Sequence, residues 1–512
     1  MSIRIIALAL FATLTISGCT KEPPLDPEVI TVAMLNSPNN LDPRVGSDDA
    51  SASVHELIYD QLLTNDEKLR VVPGLATGWE TPDPTTYIVH LRSGVRFHDG
   101  HELTSGDVVH TFSAYLDPKF VSPKKGAYVL LQSVRAIDPY TVEFKLKQPF
   151  ASFPVNLVAH IVPDGAGSEL RDRPNGTGPY QFVSATADDK VVLKPFPSYY
   201  RGAPLNRGVV LKTVPDDIMR GLELRKGSAD LVVNDLPPDI VYQLDQQPGL
   251  RSVTSPGTDY MYIGTNLRDS ILDDVRVRQA ISFAVDRDAI VKYLRRGLAT
   301  PAIGVLPPGS WAFEPNVPTF HHDPARAKRL LDEAGYPDPD GDGPRPRLTL
   351  SLKASNAEQY RLQAAVIQQN LREVGIDLDV RSYEFATLYA DVLKGAFQLV
   401  TMQWVGVTDP DMLRRVFHSS QIPPVGFNRG YYHNPEVDRL IDAATVSTDE
   451  AERLRLYSDA QRLIAQDAPY VSLWYRTNVA VAQADLEGLH LLPAADFTFL
   501  RNVRRVPQEV RR

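Results

Sequence analysis

The sequence predicts an α/β protein with two or three domains. Its 512 residues are too many for a single hydrophobic core. In the second half, strand patterns at 348–352, 376–380 and 397–404 alternate with helical spacing at 357–374 and 385–393. Such a strand–helix–strand–helix–strand unit is expected to form a parallel sheet layer with right-handed crossovers.

The last of these strands ends at a candidate binding residue. Residues 397–404 carry apolar side chains on both faces, as a strand inside a covered sheet does. Gly406 and Asp409-Pro410 then signal a turn, which places Trp404 at the carboxyl end of the strand. In open α/β sheets that end borders the crevice where ligands bind. Trp404 is therefore a candidate ligand contact, and ordinary packing is the alternative.

Composition excludes several classes of protein. The chain is 43% hydrophobic and 23% charged, which is ordinary for a soluble globular protein. Its net charge of −9 gives no electrostatic footprint for nucleic acid. Beyond the N-terminus, no stretch of sequence is long and apolar enough to span a bilayer.

The N-terminus has the pattern of a secretory signal. Arg4 precedes an apolar run at 5–16, and residues 16–19 read Ile-Ser-Gly-Cys. These four residues resemble the bacterial lipoprotein signal, in which a lipid is attached to the Cys. Cys19 is the only Cys of the chain, which favours lipidation over an ordinary signal with an incidental Cys.

We therefore expect residues 1–18 to be a signal peptide and residues 19–26 to be a tether. The globular body would lie outside the cytoplasm, held at the membrane by a lipid on Cys19. That location is the periplasm in a Gram-negative cell and the outer surface in a Gram-positive one.

The first half of the mature chain begins with a strand at 28–34, a polar loop at 36–43 that contains Asn36, and helical spacing at 50–63. A second strand is predicted at 86–92, and Thr104 or Ser105 can cap the helix that follows.

A series of short motifs in this region points to a family. The motifs are Leu75-Ala76, Trp79-Glu80, Thr86-Tyr87, Leu91-Arg92, Gly94-Val95, Phe97-His98-Asp99-Gly100, Leu103-Thr104 and Asp107-Val108. In this order they resemble the signature of the peptide/nickel-type (family 5) solute-binding proteins of bacterial ABC importers, which include oligopeptide- and dipeptide-binding proteins. Matches continue at 175–180, 274–287 and 327–336, so the resemblance covers essentially the whole mature chain.

The resemblance implies a fold of the periplasmic-binding-protein clamshell type, type II-like, with two lobes and three domains around mixed central sheets. Domain I would comprise residues 27–61, 176–257 and 481–512. Domain II would be an insertion at 62–175, and residues 258–480 would form the second lobe.

The resemblance also implies a function. The protein would capture a small solute, foremost a short peptide, between its lobes and deliver it to an ABC permease with its ATPase. It would be a monomer without a cofactor, a nucleic-acid partner or enzymatic activity. A binding protein that has lost its transporter and acts as a chaperone or sensor is an alternative within this fold.

Several site residues follow from the resemblance. The expected ligand contacts are Trp404, Val405, Gly406, Val407, Asp409, Tyr262, Asn266 and Asn36. Sheet packing is the alternative role for Tyr262 and Asn266. Trp311, Trp474 and Tyr475 are weaker aromatic candidates.

One departure from the family pattern changes the expected ligand. Peptide binders of the family carry an Asp three residues after this Trp, where it pairs with the peptide amino group, and here that position is Val407. The spacing from Trp404 to Asp409 is one residue shorter, as in nickel-type members. A nickel chelate or another non-peptide solute is therefore the alternative ligand, and Asp409 could replace the missing acid only if its loop moves it.

Two other motifs have a plain structural explanation. The sequence His98-Asp99-Gly100-His101 fits a turn, although a secreted hydrolase using His98 and Asp99 is an alternative from another class. Residues 338–343 fit the first half of a calcium loop, but the twelfth position is Thr349, which cannot serve as the bidentate ligand. No nucleophile elbow, Walker loop, His-Glu-x-x-His or dinucleotide motif is present.

Overall fold

The computed structural model describes residues 26–341 and 343–506. Its strands are β1 (Val29–Met34), β2 (Leu63–Asn65), β3 (Val71–Pro73), β4 (Ala76–Asp83), β5 (Thr86–Leu91), β6 (Leu131–Asp138), β7 (Thr141–Leu146), β8 (Tyr180–Thr186), β9 (Lys190–Pro195), β10 (Gly208–Thr213), β11 (Leu231–Val233), β12 (Leu250–Thr265), β13 (Ala299–Pro301), β14 (Leu348–Ser355), β15 (Ile376–Tyr383), β16 (Leu399–Trp404), β17 (Tyr470–Gln483), β18 (Leu486–Glu487) and β19 (Arg504–Arg505).

The α-helices are α1 (Asp49–Ile58), α2 (Ser105–Leu116), α3 (Phe153–Asn156), α4 (Asp217–Lys226), α5 (Pro238–Asp245), α6 (Val275–Ala284), α7 (Arg287–Ala289), α8 (Pro324–Glu333), α9 (Glu358–Glu373), α10 (Phe385–Leu393), α11 (Met412–Phe417), α12 (Pro435–Val446) and α13 (Glu450–Asp467). Short 3₁₀ or π segments lie at Pro123–Tyr128, Ser168–Arg171, Ile290–Leu294, Ser419–Gln421 and Thr498–Asn502.

The largest sheet of the described residues has eleven strands, in the order β15-β14-β16-β12-β17-β11-β1-β10-β9-β8, with β13 beside β17. We call the part that carries β1 and β8 to β11 lobe 1 and the part that carries β13 to β16 lobe 2. Strands β12 and β17 belong to both lobes. The sheet mixes parallel and antiparallel pairs, which confirms the predicted α/β fold class.

The two shared strands pair antiparallel along their length, and their register shifts at two places, between Pro256 and Tyr260, where the chain passes between lobes, and between Met261 and Tyr262. In lobe 1, Leu250–Pro256 pairs with β17, and in lobe 2 the pairing resumes at Tyr260, opposite Tyr475. We call residues 256–260 and 475–477 the hinge. A Cβ on Gly257 would lie 2.4 Å from the backbone oxygen of Arg476, so the strands approach this closely only because position 257 is a glycine.

The predicted strand–helix–strand–helix–strand unit forms β14, α9, β15, α10 and β16 of lobe 2. Strand β14 pairs parallel with both β15 and β16, so the predicted parallel layer is confirmed. Strand β16 then pairs antiparallel with β12, which attaches this layer to the hinge strands. The carboxyl end of β16 therefore lies beside the hinge.

Residues 62–175 carry a separate antiparallel sheet in the order β4-β5-β7-β6, with α2 packed against β6. These elements enclose a hydrophobic core of their own, which includes Phe97, Phe112 and Phe144. The predicted cap of α2 is Thr104, which forms a capping box with Asp107. We call this part the inserted domain, and the domain limits drawn from the resemblance stay a prediction.

The helix predicted at 50–63 was too long. Helix α1 ends at Ile58, because Tyr59 takes an extended conformation. The next residues pair with another segment: the Leu62 N–H donates to Ala159 O at 2.9 Å, and Gln61 bridges to His160. Tertiary hydrogen bonds therefore override the helical spacing here.

Residues 1–25 lie outside the described part of the chain, so the signal peptide, the lipid on Cys19 and most of the tether stay predictions. Within the described ranges, no helix has both the length and the apolar character needed to cross a membrane.

Candidate functional site

A cleft of about 1110 Å³ lies between the two lobes. Lobe 1 contributes Leu35, Asp49, the loop that follows β11, and residues from α4 and α5, while lobe 2 contributes Arg295 and the first turns of α9. Hinge and hinge-strand residues, among them Asp259 and Arg476, line its floor. A ligand in this cleft would touch both lobes and the hinge at once.

Asp259 organises the floor of the cleft. Its carboxylate accepts the Gly406 N–H at 3.0 Å and a hydrogen bond from Gln403 Nε2 at 2.8 Å. The Nη1 atom of Arg476 lies 3.8 Å from the same carboxylate, and Arg476 also donates to the backbone oxygen of Asn234 in lobe 1. Burial raises the pKa of Asp259, while these partners oppose the rise. One carboxylate therefore joins the hinge to the loop after β16.

The lobe 1 wall is acidic. Asp235 accepts the Leu35 N–H at 2.9 Å, and burial raises the pKa of its carboxyl group. Asp49, Asp235 and Asp259 all line the cleft, and the charge of Asp49 adds a smaller rise to the pKa values of the other two. The guanidinium of Arg220 donates to the backbone oxygens of Val214, Pro215 and Asp235. Five Asp residues of lobe 1 line the cleft against two Arg residues, Arg220 and Arg225, so this side of the cleft favours a positively charged group.

Trp404 lies inside lobe 2 and not among the residues that line the cleft. Its indole is 9% exposed and stacks near Tyr262, with ring centroids 6.1 Å apart. The guanidinium carbon of Arg429 lies 4.3 Å from the indole centroid. The neighbouring Gln403 lines the cleft, because successive side chains of a strand point to opposite faces.

Tyr262 and Asn266 also lie in the interior of lobe 2. Tyr262 packs between Trp404 and Tyr470, whose ring centroid is 4.1 Å away. Asn266 Nδ2 donates to the backbone oxygens of Gly395 and Phe397 at 3.0 and 2.8 Å. These contacts fit the packing alternative, and a ligand role for both residues stays a prediction.

The loop after β16 presents its predicted residues in different ways. Val405 is 67% exposed, whereas Val407 is 2% exposed and its N–H donates to Thr258 O at 3.2 Å. Gly406 has a φ of +65°, which turns the chain sharply between these two residues. Asn36 is exposed in the loop after β1, next to the cleft residue Leu35.

Asp409 lies where lobe 2 meets the inserted domain. Burial and the charge of Asp411 raise the pKa of Asp409 to about 6, and Ser152 of the inserted domain and Arg453 oppose the rise. Arg453 Nη2 donates to Ser152 Oγ at 2.9 Å, so these groups connect the two parts of the molecule. The structure thus places Asp409 at an inter-domain contact and away from the residues lining the cleft.

The two remaining motifs have local partners. The Nε2 atom of His98 lies 3.0 Å from Gly178 O, and burial lowers its pKa to about 4, while Asp99 contacts His101 and Asn175. Asp338 accepts the Gly341 N–H at 2.8 Å; Asp342 lies outside the described residues. Within 26–341 and 343–506, no three His, Cys, Asp or Glu side chains are grouped to hold a metal ion.

Sequence reasoning missed most residues of the cleft. Among the weaker aromatic candidates, Trp474 does line it, but Gln403, Asp259, Asp235 and Arg476 were not singled out. A signal existed for Gln403, since it is a polar residue near the carboxyl end of a largely apolar strand. The others carry no motif and are brought together only by the tertiary fold.

Comparison with known proteins identifies the family. The model of the bacterial extracellular solute-binding proteins, family 5, matches residues 70–423, which is more than half of the chain. The chain belongs to this family. The family assignment made from the sequence motifs is confirmed, and so is the expected role as an extracytoplasmic solute-binding component of an ABC importer.

Relatives of this family 5 protein cover nearly its whole length. The glutathione-binding protein GsiB of Salmonella typhi is 31% identical over 494 residues, which is 93% of this chain and 94% of the relative. The oligopeptide-binding protein AppA of Bacillus subtilis, solved with a nonapeptide, is 29% identical with a TM-score of 0.75, covering 93% of this chain and 99% of that one. NikZ of Campylobacter jejuni, solved with Ni(L-His), is 25% identical with a TM-score of 0.77, and the match covers 94% of this chain and 100% of NikZ.

Proposed function

We propose that this family 5 protein captures a short peptide or a peptide-like solute in the cleft between its lobes and delivers it to an ABC permease. The cleft carries the proposal, because its walls come from two lobes joined through β12 and β17 and its floor is the hinge itself. A ligand that touches both walls stabilises the closed arrangement over the open one, and a permease can recognise that arrangement.

The size and polarity of the cleft support a peptide. Pockets for drug-sized ligands are typically about 300–1,000 Å³, and this cleft of about 1110 Å³ reaches beyond that range. Leu35 and Gln403 face it from the ends of β1 and β16, so an extended backbone could pair with main-chain groups at either strand end. The relatives named for peptides and glutathione support the same class of ligand.

A non-peptide solute is the second candidate. Val407 stands where peptide binders of the family carry an acid, so this position offers no carboxylate to an amino group. Its apolar side chain is buried. The similarity to NikZ, solved with Ni(L-His), supports a metal chelate or another small polar solute. The acidic lobe 1 wall accommodates a positively charged group whether the solute is a peptide or a metal chelate.

The location and assembly belong to the same proposal. The protein would be anchored outside the cytoplasm by a lipid on Cys19, would act as a monomer, and would catalyse no reaction on its ligand. The pattern of residues 4–19 supports the anchor. Palmitate labelling of the wild type and of Cys19→Ser tests it, and label on both forms would contradict it.

Mass spectrometry of the solutes that co-purify with the protein tests the ligand class. We expect peptides in the native preparation, and we expect a tripeptide library to raise the Tm of the ligand-free protein. Co-purified metal chelates, with no peptide raising the Tm, would favour the second candidate. Conversion of any bound peptide to fragments, lost in His98→Ala, would support the hydrolase alternative.

A further inference from the structure

A second cavity lies in lobe 2, on the opposite face of β12 from the cleft. Its volume is about 90 Å³, and Tyr260 lines it, whereas the sequence neighbours Asp259 and Met261 line the cleft. Successive side chains of a strand point to opposite faces, so β12 separates the two spaces. Thr319 and His321, which are exposed, also line the cavity, so it reaches the surface of lobe 2.

The walls of this cavity are mostly apolar. Ile464 comes from α13, and Leu413 and Phe417 come from α11. The loop after β13 contributes Val305 and Phe313, among other apolar side chains. One water needs about 10–15 Å³ of such space, so the cavity has room for a molecule of about six non-hydrogen atoms. Such an occupant would need a short apolar chain to cover these walls.

Arg287 brings a positive charge to the cavity that it helps to line. The residue is 8% exposed. Its Nε atom donates to Ser472 O, and its Nη1 atom donates to Ser282 O at 2.8 Å and to Phe320 O at 2.9 Å. The Nη2 atom makes no hydrogen bond in the described part of the chain and keeps accessible surface. Two N–H groups of a buried guanidinium are thus open to an acceptor in the cavity.

The charge of Arg287 has no carboxylate partner among the described residues, because its acceptors are backbone oxygens. Burial lowers the pKa of Arg287 to about 10, and the charges of Tyr260 and Asp288 oppose the fall. Glu314 also lines the cavity, but its carboxylate pairs with Arg462. An anionic group beside Arg287 would therefore offset part of the cost of burying this charge.

We propose that this cavity binds a short-chain aliphatic carboxylate, with its carboxylate group on Nη2 of Arg287 and its chain against the apolar walls. The two N–H groups of Nη2 form charge-assisted hydrogen bonds with the carboxylate oxygens. An inorganic anion would leave the apolar walls uncovered, and an uncharged molecule would leave the guanidinium unpaired. The site lies across β12 from the cleft, so it is separate from the site of the transported solute and does not rest on the proposed function.

Saturation-transfer NMR titrations with butyrate and with butan-1-ol test the site. The variants are Ala465→Leu, Ala451→Leu and Arg287→Gln. Ala465 lines the cavity, so a Leu there fills part of it, whereas Ala451 is exposed on the same helix and does not line it. The wild type and Ala451→Leu should bind butyrate about tenfold or more tightly than butan-1-ol. Ala465→Leu should bind butyrate about tenfold more weakly, and Arg287→Gln should bind both molecules alike.

No binding of butyrate, or equal affinity of the wild type for butyrate and butan-1-ol, would overturn the proposal. Unchanged butyrate affinity in Ala465→Leu would also overturn it, and this variant decides the question if Arg287→Gln folds poorly. Arg295→Gln removes a guanidinium that lines the cleft and should leave the affinity for butyrate as it is. A tenfold loss in Arg295→Gln would place butyrate in the cleft and overturn the second site.

Discussion

The backbone N–H of Gly406 donates to the Asp259 carboxylate at 3.0 Å, which ties the loop after β16 to the hinge strand β12. Gln403 Nε2 donates to the same carboxylate at 2.8 Å. The loop that contains Val405 and Val407 is therefore held to the element about which the lobes turn. Ligand contacts made by this loop would move with the hinge.

Replacing Asp259 with Ala should free this loop. Both hydrogen bonds to the carboxylate are lost, so the amide hydrogens of Gly406 and Val407 should exchange about tenfold faster or more. Hydrogen exchange followed by mass spectrometry measures this, with the exposed Asp288→Ala of lobe 2 as the control. Unchanged exchange at 405–408 would show that Asp259 does not hold the loop.

Gly257→Ala should disturb the hinge. The added methyl would lie 2.4 Å from the backbone oxygen of Arg476, so β12 and β17 would have to separate at the crossing. We expect a loss of about 1–3 kcal/mol in the free energy of unfolding. Gly309→Ala is the matched control, because a Cβ there meets no atom within 4 Å. Equal Tm values for the two variants would argue against close packing at position 257.

Asp409→Asn should change how stability depends on pH. The folded pKa of Asp409 is about 6, above its ordinary value of 3.8, so the folded chain binds this proton more tightly than the unfolded chain. Its stabilising effect is complete below about pH 4 and is lost as the pH rises through about 6. The Asn variant cannot ionise, and it should be more stable than the wild type by about 1–3 kcal/mol at pH 7.

Urea unfolding of both forms at pH 4 and pH 7 measures this effect. Asp60 is also buried with a pKa raised to about 6, but its contribution is common to both proteins and cancels in the difference. A stability difference that is the same at both pH values would mean that Asp409 titrates normally.

Arg453→Ala should weaken the contact between lobe 2 and the inserted domain. The variant loses the hydrogen bond to Ser152 and the stacking on Trp311, whose ring centroid is 5.2 Å from the guanidinium carbon. We expect the free energy of unfolding to fall by about 1–2 kcal/mol, and we expect a larger radius of gyration in small-angle scattering. Glu450→Gln breaks the exposed pair with Arg70 at the same contact and should cost less than about 1 kcal/mol. Comparable effects of the two variants would contradict this ranking.

Trp404→Ala should reduce the stability of the protein more than its affinity for ligands. The indole is largely buried between Tyr262 and Phe427 and beneath Arg429, so its removal should lower the free energy of unfolding by about 3–5 kcal/mol. Trp79→Ala, at a half-buried Trp of the inserted domain, should lower the free energy of unfolding by a smaller amount. Affinity for tripeptides should fall less than tenfold. A large loss of affinity with unchanged stability would assign the indole to ligand contact.

Sequence patterns predicted the fold better than the site. The parallel layer formed by β14, β15 and β16 followed from periodicity, because apolar spacing reports which face of an element is buried. Within β12, only Tyr262 was singled out, as a ligand contact or a sheet-packing residue. The first half of β12 in lobe 1 has little alternation, since it pairs with β17 in a part of the sheet that is only partly buried.

The position of Trp404 at a strand end was predicted correctly, but its orientation could not be. With apolar residues on both faces of 397–404, periodicity did not tell which face meets the cleft, and Gln403 faces it instead. Gln363 lies in α9, whose ordinary helical spacing gives no sign that this side chain lines the cleft.

The position of β17 near the end of the chain has a consequence for the order of synthesis. This strand, at 470–483, is the neighbour of β11 in lobe 1 and of β12 along both lobes. Until it emerges from the ribosome and the membrane, both strands keep open edges that can pair with other chains. Neither half of the molecule can finish folding while the rest is still being made, and loss of the last forty residues would unfold both.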